Sequence, residues 1–220
     1  MAELVLVRHG QASFGAEDYD KLSELGWRQS RWLGEYFAER STAFDLVMRG
    51  SLRRHAETLA GIAEGLGRAL EATEDAGLNE YDSHLLLRAY LRTKELPQGG
   101  DRREHFRLLR EALYAWTDGT LPVAPQESFA AFRGRVLSAL AAARDGAGKR
   151  VLVVSSGGPI STILAEVLGM PARGVVDLNL QTRNTGISEL QASASRIHFV
   201  SFNNVPHLDW PDRRGSLTYA

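Results

Sequence analysis

Arg8-His9-Gly10 follows directly on the apolar run Leu4-Val5-Leu6-Val7. An imidazole can serve as nucleophile, base or metal ligand. The guanidinium beside it is a planar fork of donors that matches a phosphate or a carboxylate. Three further groups of chemistry-bearing residues occur along the chain. Arg54, with Arg53 beside it, comes shortly after a second apolar run, Phe44–Met48. Ser155-Ser156-Gly157-Gly158 follows a third, Val151–Val154. Glu80 lies in Leu78-Asn79-Glu80-Tyr81-Asp82. Each alone has an ordinary reading: a solvated loop pair, surface arginines, a connection without a ligand, a surface or capping acid. Together they describe one imidazole, two guanidinium groups and the N–H groups of a helix start. That is an electrostatic clamp for a transferring phosphoryl group. An alkoxide leaving group also needs a proton. Glu80 is the candidate donor, and Asp82, two residues on, is its rival.

These residues matter only if the chain brings them together. The runs at Leu4–Val7, Phe44–Met48 and Val151–Val154 lack polar alternation, the pattern of strands buried on both faces. Helical spacing separates them. Ser23 is an N-cap for a helix reaching Arg40, with Trp32, Leu33, Tyr36 and Phe37 on one stripe. Further helices are expected at Leu52–Leu66, from Ser128, and from Pro159 to Leu168. Ile187–Gln191 and Arg196–Phe202 alternate around a short polar turn, as a hairpin does. Alternating strands and helices with short βα turns predict a three-layer α/β/α sandwich on a mostly parallel sheet. Ligands of such sheets bind beyond the carboxyl ends of the strands, which is where His9, Arg54 and Ser156 fall. Residues 1–220 read as a single domain. The stretch 82–127, with helical pieces at Leu85–Leu91 and His105–Trp116 broken by Pro97, Pro122 and Pro125, reads as a helical insertion or lid.

The chain has 220 residues, a net charge of −1 and no cysteine. Thiol catalysis and cysteine metal sites are therefore excluded. The arginines are scattered among acids and form no basic run, so no nucleic-acid partner is expected. No apolar run approaches a membrane span. The first strand begins within three residues of Met1, leaving no room for a signal peptide, and a cytoplasmic protein is expected.

The ordered set of motifs resembles the histidine phosphatase superfamily, the phosphoglycerate-mutase-like proteins, over nearly the whole length. Leu6-Val7-Arg8-His9-Gly10-Gln11 is similar to the family's opening signature, and Leu22-Ser23-Glu24-Leu25-Gly26-Trp27-Arg28-Gln29 to its next helix start. Leu52-Arg53-Arg54-His55-Ala56-Glu57-Thr58, aligned on Thr58, is similar to the segment bearing the second phosphate arginine. Leu78-Asn79-Glu80 is similar to the segment bearing the acid. The resemblance implies a phosphohistidine formed on His9, with Glu80 as general acid and then base. It also implies phosphoryl binding by Arg8, Gln11, Arg54, Ser156 and Gly157. A small phosphorylated substrate is implied, with no cofactor and no metal.

The chain departs from the pattern in three places. Ser155-Ser156-Gly157 stands where the family carries Ser-His-Gly, so Ser156 replaces an imidazole that donates to the phosphoryl oxygens. Gly15 aligns near a polar loop residue that is missing. The glycine-rich, lysine-bearing segment of the mutases is not found after the second arginine motif. A phosphatase is therefore expected before a mutase, with a catalytically weak relative that binds a phosphorylated ligand as the alternative. His207 is a further histidine that either reaches the pocket or lies in a turn. A nucleotide-binding or oxidoreductase protein ranks far behind, because no Gly-x-Gly-x-x-Gly or P-loop follows any strand.

Overall fold

The computed structural model describes residues 1–13, 20–92, 102–122, 124–146, 148–193 and 195–219. Gly15 and the Pro97-Gln-Gly-Gly segment lie outside them. Its strands are β1 (Ala2–Arg8), β2 (Leu46–Arg49), β3 (Thr73–Glu74), β4 (Arg150–Ser155), β5 (Ile187–Ala192) and β6 (Ile197–Asn204). Its helices are α1 (Glu24–Glu39), α2 (Arg53–Leu66), α3 (Ser83–Leu91), α4 (Arg102–Thr117), α5 (Phe129–Asp145), α6 (Gly157–Leu168) and α7 (Ala172–Asn179). Among the described residues the strands form one sheet in the order β3-β2-β4-β1-β5-β6. The first four run parallel, and β5 and β6 run antiparallel as the expected hairpin.

The apolar runs fill both faces of this sheet by simple alternation. Leu4, Leu6, Met48, Val151 and Val153 point to a core shared with Phe132, Val136, Ile160 and Ile163 of α5 and α6. Val5, Val7, Val47, Leu152 and Val154 point the other way, to Leu33 and Phe37 of α1 and to Leu59 and Ile62 of α2. Leu86 of α3 and Leu113 and Trp116 of α4 join the first of these cores. The stretch 82–127 thus contributes helices to the sheet's own packing.

Two expectations shift. β2 starts at Leu46 rather than at Phe44. Asp45 takes its carboxylate out of the strand to accept the Lys149 and Arg150 N–H groups at 2.8 Å each. Phe44 instead meets Phe37 edge-on, with ring centroids 5.2 Å apart. Helix α7 was not anticipated; its short pattern after Pro171 carries little periodic signal. The register places β1 and β4 side by side with Arg8 opposite Ser155, so His9 and Ser156 leave neighbouring strands at the same level.

Candidate active site

His9 sits just past β1, and its backbone is held from two sides. Its N–H donates to the Ser155 carbonyl at 2.9 Å, and its carbonyl accepts the Asn184 side-chain N–H at 3.1 Å. The ring is buried, and Nδ1 lies 2.7 Å from the Gly10 carbonyl. A carbonyl only accepts, so Nδ1 carries the proton and Nε2 presents a lone pair. Burial, and then the nearby charges of Arg54 and Arg8, hold this histidine well below its ordinary value. Both effects favour the neutral ring.

Arg54 enters from the first turn of α2. Its side chain is only 9% exposed, against 54% for Arg53, which instead pairs along the helix surface with Glu57 at 2.6 Å. Thr58, one turn on, locks α2 to the His9 turn. Its hydroxyl donates to the Arg54 carbonyl at 2.7 Å and accepts the Gly10 N–H at 3.0 Å. The Arg8 guanidinium donates to the carbonyls of Thr182, at 2.5 Å, and Tyr219.

Glu80 follows a short 3-10 turn (Ala76–Leu78) fastened to the sheet. Ser155 Oγ donates to the Leu78 carbonyl at 2.7 Å, and Arg135 of α5 donates to the Gly77 and Asn79 carbonyls at 3.0 and 2.6 Å. The Glu80 carboxyl accepts the Gly158 N–H of α6 at 3.1 Å. Burial pushes its pKa up, against the opposing pull of that N–H, Arg54 and Arg8. Desolvation outweighs these pulls. Asp82, the rival acid, instead caps α3 by accepting the Leu85 N–H at 2.9 Å.

Helix α6 begins with two glycines, against which neighbouring side chains pack closely. A Cβ on Gly158 would lie 2.1 Å from Glu80 Oε1, and one on Gly157 would lie 2.2 Å from Asn179 Oδ1. Only glycines let the acid and α7 come this close to the helix start. The structure thus gathers His9, Arg8, Arg54, Glu80, Ser156 and Gly157 at one end of the sheet. Gln11 lies beside them, with its Oε1 accepting the Ser23 hydroxyl at 2.8 Å. His207 does not join the group. It is buried on Thr185, 2.8 Å from its hydroxyl, behind the backbone of Arg8 and His9, to whose carbonyls the Thr185 N–H donates.

Two side chains in the site were missed by sequence reasoning. Asp20 accepts from Arg54 Nη1 at 2.6 Å and from the Arg53 N–H at 2.8 Å. Nothing in its sequence neighbourhood marks it. His55 places Nε2 2.7 Å from Ser156 Oγ, and its ring centroid is 5.9 Å from that of His9. Its position next to Arg54 was the available signal. Among the described residues no group of three or more His, Cys, Asp or Glu is arranged to hold a metal, and no helix is long and apolar enough to cross a membrane.

Residues 4–205 match the family model of the histidine phosphatase superfamily (branch 1). A protein of Klebsiella pneumoniae named "Probable phosphoglycerate mutase GpmB" is 29% identical over 223 residues, which span 96% of this chain and 97% of that protein. A phosphoserine phosphatase mutant from Entamoeba histolytica, solved with phosphoserine, superposes with a TM-score of 0.66 at 20% identity, covering 94% of this chain and 100% of the other. An alpha-ribazole phosphatase from Shigella flexneri gives a TM-score of 0.64 at 21% identity, covering 92% and 96%. With the family match spanning nearly the whole length, this chain belongs to the histidine phosphatase superfamily.

Proposed function

We propose that this chain is a phosphomonoester hydrolase working through a phosphohistidine on His9, on a three-layer α/β/α frame. The observation that carries the reading is the meeting, at one end of the sheet, of His9, whose Nδ1 is turned to the Gly10 carbonyl, with Arg54 and with Glu80 on the start of α6. Burial lowers the His9 pKa, which favours a neutral ring with its lone pair on Nε2, and raises that of Glu80, which favours the protonated acid. A nucleophile must be unprotonated and a leaving-group acid protonated at the same pH, and both shifts run in that direction.

The chemistry follows. His9 Nε2 attacks phosphorus, the bond to the ester oxygen breaks, and Glu80 gives that oxygen its proton. Glu80, now a carboxylate, takes a proton from water. The water oxygen attacks phosphorus, the P–N bond breaks and its electron pair returns to Nε2. Arg8, Arg54, Ser156 and the Gly157 N–H hold the phosphoryl oxygens as charge develops. Gln11, anchored on Ser23, completes the rim through its amide nitrogen.

The substrate is a small phosphorylated molecule, and α3 and α4 within residues 82–127 shape its choice. Hydrolysis is favoured over mutase chemistry because the lysine-bearing segment that the resemblance gives the mutases has no counterpart. A weaker enzyme that mainly binds phosphorylated ligands is the second reading. It is supported by Asp20, whose carboxylate holds an Arg54 N–H that a phosphoryl oxygen would use. Steady-state hydrolysis of p-nitrophenyl phosphate and of an alkyl phosphate by wild type and Glu80→Gln tests the proposal. The alkyl ester should lose far more rate, since its leaving group needs the proton. Equal losses would remove Glu80 from the acid role.

A further inference from the structure

Ser156 occupies the N-cap position of α6, where a serine hydroxyl ordinarily accepts a helix N–H. This one makes no such bond. Its Oγ lies 2.7 Å from His55 Nε2, and both residues are fully buried. The hydroxyl has been diverted from the helix to an imidazole on α2.

The tautomer of His55 depends on its other nitrogen. Nδ1 is buried and makes no hydrogen bond of ordinary geometry, although the Gly50 backbone lies close enough to favour the protonated ring. With the proton on Nε2, that nitrogen donates to Ser156 Oγ. With its acceptor side used by His55, the Ser156 hydroxyl must send its own hydrogen elsewhere. Burial and the charges of Arg54 and Arg49 hold His55 near pKa 3, so it stays a neutral donor. Gly50 is shaped for this ring. A Cβ there would lie 2.2 Å from His55 Nδ1.

We propose that His55 is a positioning residue for phosphoryl transfer, its Nε2–H fixing Ser156 so that the serine hydroxyl donates to the phosphoryl group on His9. The inference rests on the phosphatase reading and deepens it. Ser156 leaves β4 level with His9 on β1, and His55 stands beside the His9 ring, so the relay ends where the phosphoryl oxygens must lie. It supplies an oriented neutral donor without adding a third charge between the two arginines.

The test combines a spectroscopic and a kinetic readout. In protein labelled with 15N-histidine, the His55 resonances, assigned by their loss in His55→Gln, should show the proton on Nε2 across the neutral range. Orthovanadate should shift that Nε2–H signal in wild type and much less in Ser156→Ala. With p-nitrophenyl phosphate, Ser156→Ala and the shape-keeping His55→Phe should each lower kcat on the order of a hundredfold, the loss expected for one donor to the transition state. KM should change little. The double variant should lose no more than either single one, because the two act as one unit. His55→Gln, whose amide nitrogen can replace Nε2–H, should recover most of the rate. Thermal melts check that each variant is folded. A proton on Nδ1, a silent His55→Phe in a folded protein, or additive losses overturns the inference while leaving the phosphatase reading intact. If wild type neither binds orthovanadate nor phosphorylates His9, that reading fails and the inference fails with it.

Discussion

Glu80 Oε2 accepts the Gly158 N–H at 3.1 Å, so a half-buried acid rests on the N-terminus of α6. The helix end and both arginines favour the carboxylate, yet burial prevails and the group is pushed toward protonation. An arriving phosphoryl dianion adds negative charge at the same spot. In the proposed mechanism it therefore strengthens the acid's hold on its proton just when that proton is needed.

Gly158→Ala should separate the acid from the helix. The new Cβ would fall 2.1 Å from Glu80 Oε1 and 2.8 Å from a Tyr81 ring carbon, so the carboxyl must move. A displacement of this size costs on the order of a hundredfold in kcat. The loss should be larger for alkyl than for aryl phosphates, with the melting temperature little changed. A variant as active as wild type on alkyl phosphates would contradict the placement.

Asp20→Asn should tighten inorganic phosphate binding. The substitution keeps an oxygen to accept the Arg53 N–H but removes a negative charge bonded to Arg54. A several-fold gain at low salt is expected, shrinking as ionic strength rises, because the pair is partly exposed. Calorimetric titration checks this. Weaker phosphate binding would instead make Asp20 an orienting partner of Arg54.

Acid should destabilise the fold through its buried histidines. His207 and His55 are held near pKa 3 by burial, against an ordinary 6.5. A depressed folded value gives stability that is complete above pH 6.5 and lost as pH falls toward 3. Each such group contributes up to about 1.4 kcal/mol per pH unit in that window. His207→Gln keeps a partner for Thr185 but cannot titrate. Urea unfolding at pH 7 and pH 4.5 should show a smaller loss in this variant than in wild type, by about 2–3 kcal/mol. Identical losses would place the titration elsewhere.

The sheet was legible because its strands are uninterrupted apolar runs, and the helices were legible because their stripes repeat at helical spacing. Ser23 caps α1 as expected, donating no ambiguity to its start: its hydroxyl accepts the Gly26 N–H at 3.1 Å. The gathering of His9, Arg54 and Ser156 followed from a topological rule about strand ends. The contacts that tune them did not. Asp20 reaches Arg54 across 34 residues and Arg135 reaches Asn79 across 56, and neither pairing leaves a periodic or local trace. His55 lay in plain view beside Arg54. Its direction depends on the side of α2 that faces β4, which only the packed structure reveals.

The central claim is that His9 carries the phosphoryl group. Wild type mixed with a 32P-labelled phosphomonoester and quenched in base within milliseconds should yield a base-stable, acid-labile phosphoprotein, whose label maps to His9. His9→Ala should remain folded, yield no labelled protein and turn over no substrate. Label on another residue, or undiminished hydrolysis by His9→Ala, would contradict the account.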